Sequence, residues 1–436
     1  MKFVSKAAMA AALAVGVSTA MVATAPMAAA KDKKQDKEEG KPLELGKEFR
    51  VEAKAAQDAL QANDYATAKT HIDAAAKLAK TPDEQYFVAA LSLPVGAREQ
   101  DNARMAPALE TLIASDRTAP ADRAKYAFFR GQIALQNKNN DVALKYLTQA
   151  QQMGYSNPEL PLMMARVQAD TGDVKGSLVS LKQAIDARNA TADKAPEDWY
   201  KFGVSQAYNK AKDPVATMQW ATEWVKAYPT KQNWRELINL YQQTAQEGGK
   251  AIDDDTRLDL LRLKRATGSL ASQSDYFEYA LLANQKGLPY ESKAVIEAGR
   301  QAGTIPAGAA NINDLYNSAV QAIKKDVSLS SLETKAMAAA NGKLASQTGD
   351  AYLANGDYAQ AIKLYRAALQ KGGVDTPVVN SRLGIALALA GQTAEAKQAF
   401  DSVNAAGARK DVVNLWDVYL ATRGGSATGS ATATAG

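Results

Sequence analysis

Apolar residues along this chain recur every three or four positions in stretches of about a dozen, and short polar turns break one stretch from the next. Leu258, Leu261 and Leu263 belong to one such stretch, and Leu315, Val320 and Ile323 to another. A period near 3.6 residues predicts amphipathic helices, whereas the strict alternation of strands, rich in Val, Ile and Thr, is scarce. An all-α chain is expected. Three turns carry one signature: Ala62-Asn63-Asp64-Tyr65, Thr171-Gly172-Asp173-Val174 and Asn355-Gly356-Asp357-Tyr358. The residue just past a helix is left-handed at least cost when it is Gly, and the Asp after it can cap the next helix through its carboxylate.

These turns sit inside a longer pattern. Gly349 lies seven residues before Gly356, and Ala361, Tyr365 and Ala368 lie five, nine and twelve after it. Gly349 and Ala361 are expected where two antiparallel helices approach closely; Tyr365 and Ala368 are expected to face the other way, onto the following hairpin. The same order of small, small, large, small residues recurs at Gly131, Ala143, Leu147 and Ala150, and 34 residues later at Ala165, Ser177, Leu181 and Ala184. Trp199-Tyr200-Lys201-Phe202-Gly203 opens a further unit, with Ala216 and Trp220 following after one inserted residue. Trp234, Leu237 and Tyr241 open another. Ala280, Gly287, Ser292 and Ile296 fit the template, as do Gly384, Gly391, Ala396 and Phe400, and Ala56, Ala68, Ile72 and Ala75 at the front.

This pattern resembles the tetratricopeptide repeat family, whose period is about 34 residues. The resemblance covers roughly residues 48 to 420, with poor fits at 85–120, 245–272 and 305–340, and the family's Pro near the end of each unit is mostly missing. It implies an α-solenoid of stacked antiparallel helix pairs, a right-handed superhelix forming one elongated domain at 48–423, with its strongest repeats about 124–157, 158–191, 196–230, 342–374 and 377–408. Proteins of this family usually hold other molecules.

The ends of the chain read differently. Lys2 and Lys6, the uncharged run Ala7 to Val22 and the small residues Ala28-Ala29-Ala30 match an export signal at 1–30, with cleavage after Ala30. The expected localisation is periplasmic or secreted, with no integral membrane segment once the signal is removed. Residues 31–47 form a charged linker, and the tail 424–436, built of Gly, Ser, Ala and Thr, has no core to join.

Composition removes several chemistries. There is no cysteine, so no disulfide, thiolate nucleophile or Cys-ligated metal is possible, and His71 is the single histidine. His71 is expected to be a surface or half-packed residue of the first unit. Gly248-Gly249-Lys250 and Gly342-Lys343 lack the remaining residues of a phosphate loop. Asp253-Asp254-Asp255 leads straight into a helical stretch without the alternation of a calcium loop, which favours capping. Net charge is +5, falling to +3 once Lys2 and Lys6 leave, and the excess is interspersed with acids. That disfavours nucleic acid as a partner. No catalytic residue, metal or cofactor is expected.

What remains is the inner face that the family builds from the first helix of each unit. Phe128, Leu162 and Tyr200 are expected either on it, with Gln132, Arg166 and Tyr208 on neighbouring turns as a strip for a protein or peptide partner, or packed between the helices. A second reading is a ligand- or carbohydrate-binding factor for envelope polymer assembly or export, in which Trp199, Tyr200, Trp220, Trp224 and Trp234 stack on sugar rings.

Overall fold

The computed structural model describes residues 43–325 and 328–424. The expected leader, residues 31–42 of the linker and the tail from 425 lie outside the described residues. Among the described residues every element is helical, with 21 α-helices, one π-helical segment and no strand. Contacts divide the chain into two compact units, residues 1–199 and 200–436. The repeat pattern alone predicts one continuous domain.

Unit 1 holds four helix pairs. They are α1 (Lys47–Gln61) with α2 (Tyr65–Leu78), α3 (Pro82–Glu99) with α4 (Asn102–Ala114), α5 (Pro120–Gln136) with α6 (Asn140–Gln152), and α7 (Glu159–Asp170) with α8 (Val174–Asn189). Each pair packs on itself, and α2, α4 and α6 also pack on the helix that follows. The turns behave as their residues dictate. Asn63 and Gly172 take φ of 58° and 86°, and the carboxylates of Asp64 and Asp173 accept from the N–H groups of Thr67 and Gly176 at 3.0 and 2.8 Å. The pair α3/α4 stands where the repeat template fits poorly. Its start is fixed by a capping box in which Thr81 and Glu84 satisfy each other's backbone, with Pro82 at the first helical position.

Unit 2 starts in α9 (Glu197–Ser205), which runs into the π-helical segment Gln206–Ala211, followed by α10 (Pro214–Ala227), α11 (Lys231–Glu247) and α12 (Asp254–Ala266). Then come α13 (Gln273–Gln285), α14 (Pro289–Gln301), α15 (Ala310–Lys325) and α16 (Leu329–Ala338). The last five are α17 (Lys343–Ala354), α18 (Tyr358–Lys371), α19 (Thr376–Leu389), α20 (Thr393–Asp401) and α21 (Ala408–Gly424). The closest pairs here are α13/α14, α17/α18 and α19/α20. Asp253 caps α12, accepting from the Thr256 N–H at 2.9 Å, so the Asp run opens a helix as its position implies.

One packing rule runs through both units. A glycine of the first helix faces a large side chain of the second: Gly131 faces Leu147, Gly203 Trp220, Gly349 Tyr365 and Gly384 Phe400. A Cβ on Gly203 would lie 2.2 Å from the Trp220 ring and one on Gly384 would lie 2.3 Å from Phe400, which no packing tolerates without a shift. This corrects the expected direction of Tyr365. Its ring lies against Gly349 in its own pair, because the close approach that glycine permits leaves a slot there for a large side chain.

A second correction concerns reach. In a simple solenoid each hairpin touches only its neighbours. Within unit 2, α21 packs on α10 and α12 as well as on the adjacent α19 and α20. The Tyr241 hydroxyl donates to the Ala408 carbonyl at 3.2 Å, and the Trp234 and Tyr419 rings meet edge to face at 6.4 Å. Trp416 is completely buried at this closure.

Candidate functional site

The six residues expected on a partner-binding strip have different fates. Phe128 is 2% exposed, its ring 5.6 Å from Phe129 and 5.0 Å from Tyr155. Tyr200 is 3% exposed and meets Tyr228 edge to face at 5.9 Å. Both are core residues packed between helices, so of the two expected places they take the interior and not the strip. Their helix faces turn into the pair because an aromatic ring gains more from full burial than from a half-wet groove. Gln132 on α5 is also buried, and its Oε1 has no partner. Leu162 and Arg166 lie one turn apart on α7, both half-buried. Tyr208 is half-buried in the π-helical segment and donates to Glu247 at 2.8 Å.

Other side chains of unit 1 lie where a partner could reach them. Tyr86 and Ala90 on α3, Tyr126 and Leu135 on α5 and Met163 on α7 are half-buried and pack on the core that contains Phe128 and Leu147. Burial pushes the Tyr126 phenol up to about 12, helped by the Asp122 carboxylate and by Tyr86. Burial and Asp122 raise Tyr86 as well. Both phenols therefore stay neutral near neutral pH. Tyr86 and Tyr126 did not stand out in the sequence because neither occupies a template position; each only lies three residues before an apolar residue, Ala89 and Phe129.

The sugar-stacking set fares worse. Tyr200, Trp220, Trp224 and Trp234 are all buried, and of the five only Trp199 is half-exposed. His71 is half-buried, with Nδ1 2.7 Å from Glu52 on α1. Among the described residues no group of three or more His, Asp or Glu side chains is placed to hold a metal ion.

Unit 2 contains a buried charge network. The Arg262 guanidinium donates to Glu291 through Nε at 2.9 Å and Nη2 at 2.8 Å, and to Asp259 through Nη1 at 2.9 Å. Tyr279 donates to Glu291 at 2.7 Å. Arg382 donates to Asp350 and to Asp255, both at 2.7 Å, and Tyr365 donates to Asp350 at 2.7 Å. Arg409 on α21 completes the set, donating to Asp259 at 3.0 Å. Burial alone would raise the Glu291 carboxyl, but the Arg262 charge and its hydrogen bonds outweigh it and hold the group below its ordinary value. Asp350 goes the other way. Burial raises it in spite of Arg382 and Arg262. The network ties α12 to α14, α17, α19 and α21, and each charge in it faces an opposite one. Such a cluster fixes register more than it adds stability.

The repeat pattern itself has an independent match. A tetratricopeptide repeat family model matches residues 97–158 and 347–409, which span α4 to α6 and α17 to α20. The chain carries tetratricopeptide repeats over those two stretches. No curated protein matches its sequence. Solved structures similar to it include a tetratricopeptide repeat protein from Parabacteroides merdae, at 10% identity and a TM-score of 0.28, covering 78% of this chain and 100% of that one. Pseudomonas aeruginosa PilF is similar at 14% identity and a TM-score of 0.22, covering 43% of this chain and 95% of its own. The TPR2AB domain of yeast Sti1, solved in complex with pHSP90, is similar at 12% identity and a TM-score of 0.23, over 70% of this chain and 99% of that one. Tetratricopeptide repeats of this kind suggest a scaffold for protein–protein interaction.

Proposed function

We propose that this tetratricopeptide repeat protein is an exported scaffold or adaptor of the bacterial envelope, and that it holds a protein partner without converting it. The single observation that supports this reading best is the row of half-buried apolar side chains on the first helices of unit 1. Tyr86, Tyr126 and Met163 are anchored in one core, and Leu162 and Arg166 lie one turn apart on α7, Leu162 next to Met163 in sequence. Rigidly seated aromatic and aliphatic edges beside a guanidinium are what a short helix or extended peptide uses as anchors. The export reading rests on residues 1–30 alone, with their two lysines, apolar run and small-residue end. No helix among the described residues is long and apolar enough to cross a membrane.

The test is photo-crosslinking in intact cells from a reactive residue at position 162, with the same probe at exposed Val179 as the comparison. A discrete protein adduct from position 162, lost in Tyr126→Ser and Met163→Ser chains that keep their helical circular dichroism, supports the reading. Equal adducts from both positions, or adducts indifferent to those changes, reject it. Fractionation decides the compartment: a full-length chain retained in the cytoplasm rejects export.

A further inference from the structure

We propose that the π-helical segment Gln206–Ala211 shapes a pocket on unit 2 for a neutral ligand rich in hydroxyl groups, a sugar ring of a saccharide. The starting point is a spacing. Gly131 precedes Ala143 by twelve residues and Gly349 precedes Ala361 by twelve, but Gly203 precedes Ala216 by thirteen. The extra residue is taken up as a π turn, the form in which a single insertion is held inside an α-helix and one found often at functional sites. The segment ends on Lys212, a non-glycine residue with φ of 51°, held left-handed. Gly203 still meets Trp220, so the insertion is not needed for the packing of the pair.

What the insertion changes is the surface beside α11. The Tyr208 hydroxyl donates to Glu247 at 2.8 Å and is also hydrogen-bonded to the Gln243 amide, which donates to Glu247 at 3.1 Å. Next to them opens a cavity of about 350 Å³, lined among others by Tyr208, Asn209, Lys212, Thr217 and Glu247. That volume lies within the usual range for small-ligand sites, roughly 300–1,000 Å³. The Glu247 bond holds the Tyr208 phenol above its ordinary value, so it stays a neutral donor.

The lining selects the ligand by charge. Glu247 repels an anion. The Lys212 ammonium, which has no ion-pair or hydrogen-bond partner among the described residues, repels a cation. A neutral molecule whose groups both donate and accept satisfies the two at once, and neighbouring hydroxyls do this, giving a hydrogen to Glu247 while accepting from Lys212. The half-exposed Tyr208 ring offers an apolar plane for the C–H face of a sugar. This pocket shares no residue with the buried tryptophans, and it stands apart from the scaffold reading of unit 1.

The experiment is saturation-transfer NMR on the whole chain with maltose and N,N′-diacetylchitobiose, beside acetate and propylamine. The expected result is transfer from the protein to one of the disaccharides with a dissociation constant on the order of 1 mM, weakened about tenfold in Tyr208→Ala and in Lys212→Gln chains. Lys212 is exposed, so its replacement leaves the fold intact and serves if Tyr208→Ala does not fold. No transfer to either sugar, transfer unchanged in the Lys212→Gln chain, or preferential binding of acetate or propylamine would each overturn the proposal.

Discussion

The Trp416 indole N–H donates to the backbone carbonyl of Asp259 at 3.1 Å, across 157 residues of chain. The same aspartate takes Arg262 and Arg409 on its carboxylate, so one residue of α12 holds α21 by both its backbone and its side chain. Unit 2 is thereby closed by contacts that a stack of neighbours does not require.

Removing one partner from this cluster should be severe. Glu291→Ala leaves Arg262 buried with one of its two carboxylates gone, and breaking a buried pair in this way costs about 3–5 kcal/mol. Urea unfolding followed by tryptophan fluorescence measures it. Replacing both members, Arg262→Met with Glu291→Leu, should cost clearly less than the single change, because no uncompensated charge stays behind.

Acid should loosen unit 2 through Glu291. Its folded value is depressed below the ordinary 4.5 of a glutamate. The stabilisation it contributes is therefore complete above that ordinary value and is lost as pH falls through the depressed one. Asp350 has the opposite sign, its folded value being raised, so it opposes the folded state at neutral pH and opposes it less as it takes up a proton. Denaturation midpoints measured from pH 7 down to about 3 should fall less steeply in Glu291→Gln than in the parent.

The glycine-to-ring contacts should be intolerant of a methyl group. Gly384→Ala puts a Cβ about 2.3 Å from Phe400, and overpacking of this kind costs about 1–3 kcal/mol. Thermal unfolding should show the loss, and Gly356→Ala should show one of different origin. At Gly356 nothing lies within 4 Å, but φ is 81°, so the penalty there is conformational.

Deleting Asn209 should turn the π segment into α-helix. The spacing from Gly203 to Trp220 would drop from seventeen to the sixteen that separates Gly349 from Tyr365, and the Gly203–Trp220 contact should survive. Helical circular dichroism should be unchanged. A crystal structure or the ultraviolet titration of the tyrosines should show that Tyr208 has left Glu247.

The residues that announced the fold act over short distances. Asp64, Asp173 and Asp357 cap helices by reaching N–H groups three residues ahead, and Gly172 and Gly356 turn the chain left-handed just past a helix. Such effects depend on immediate neighbours, which is why the helices, their pairing and the extra residue before Trp220 could be read from the order of residues. The strip was harder to read. Phe128 and Tyr200 match a family position in spacing, yet spacing cannot say whether an aromatic ring ends in a groove or between helices, since both satisfy the same period. Only the packed neighbours Tyr155 and Tyr228 decided that.

By itself, then, the order of residues determined an all-helical repeat chain, because capping, turn chemistry and amphipathic period are local. The tertiary structure alone decided that α21 closes on α12, that Arg262, Arg382 and Arg409 find their acids in the interior, and that Tyr365 lies in its own pair. Partners such as Asp259 and Arg409 stand 150 residues apart, and an isolated Arg or Asp in a helix looks the same whether water or an opposite charge awaits it. Burial is what separates the two cases, and burial exists only once the helices have met.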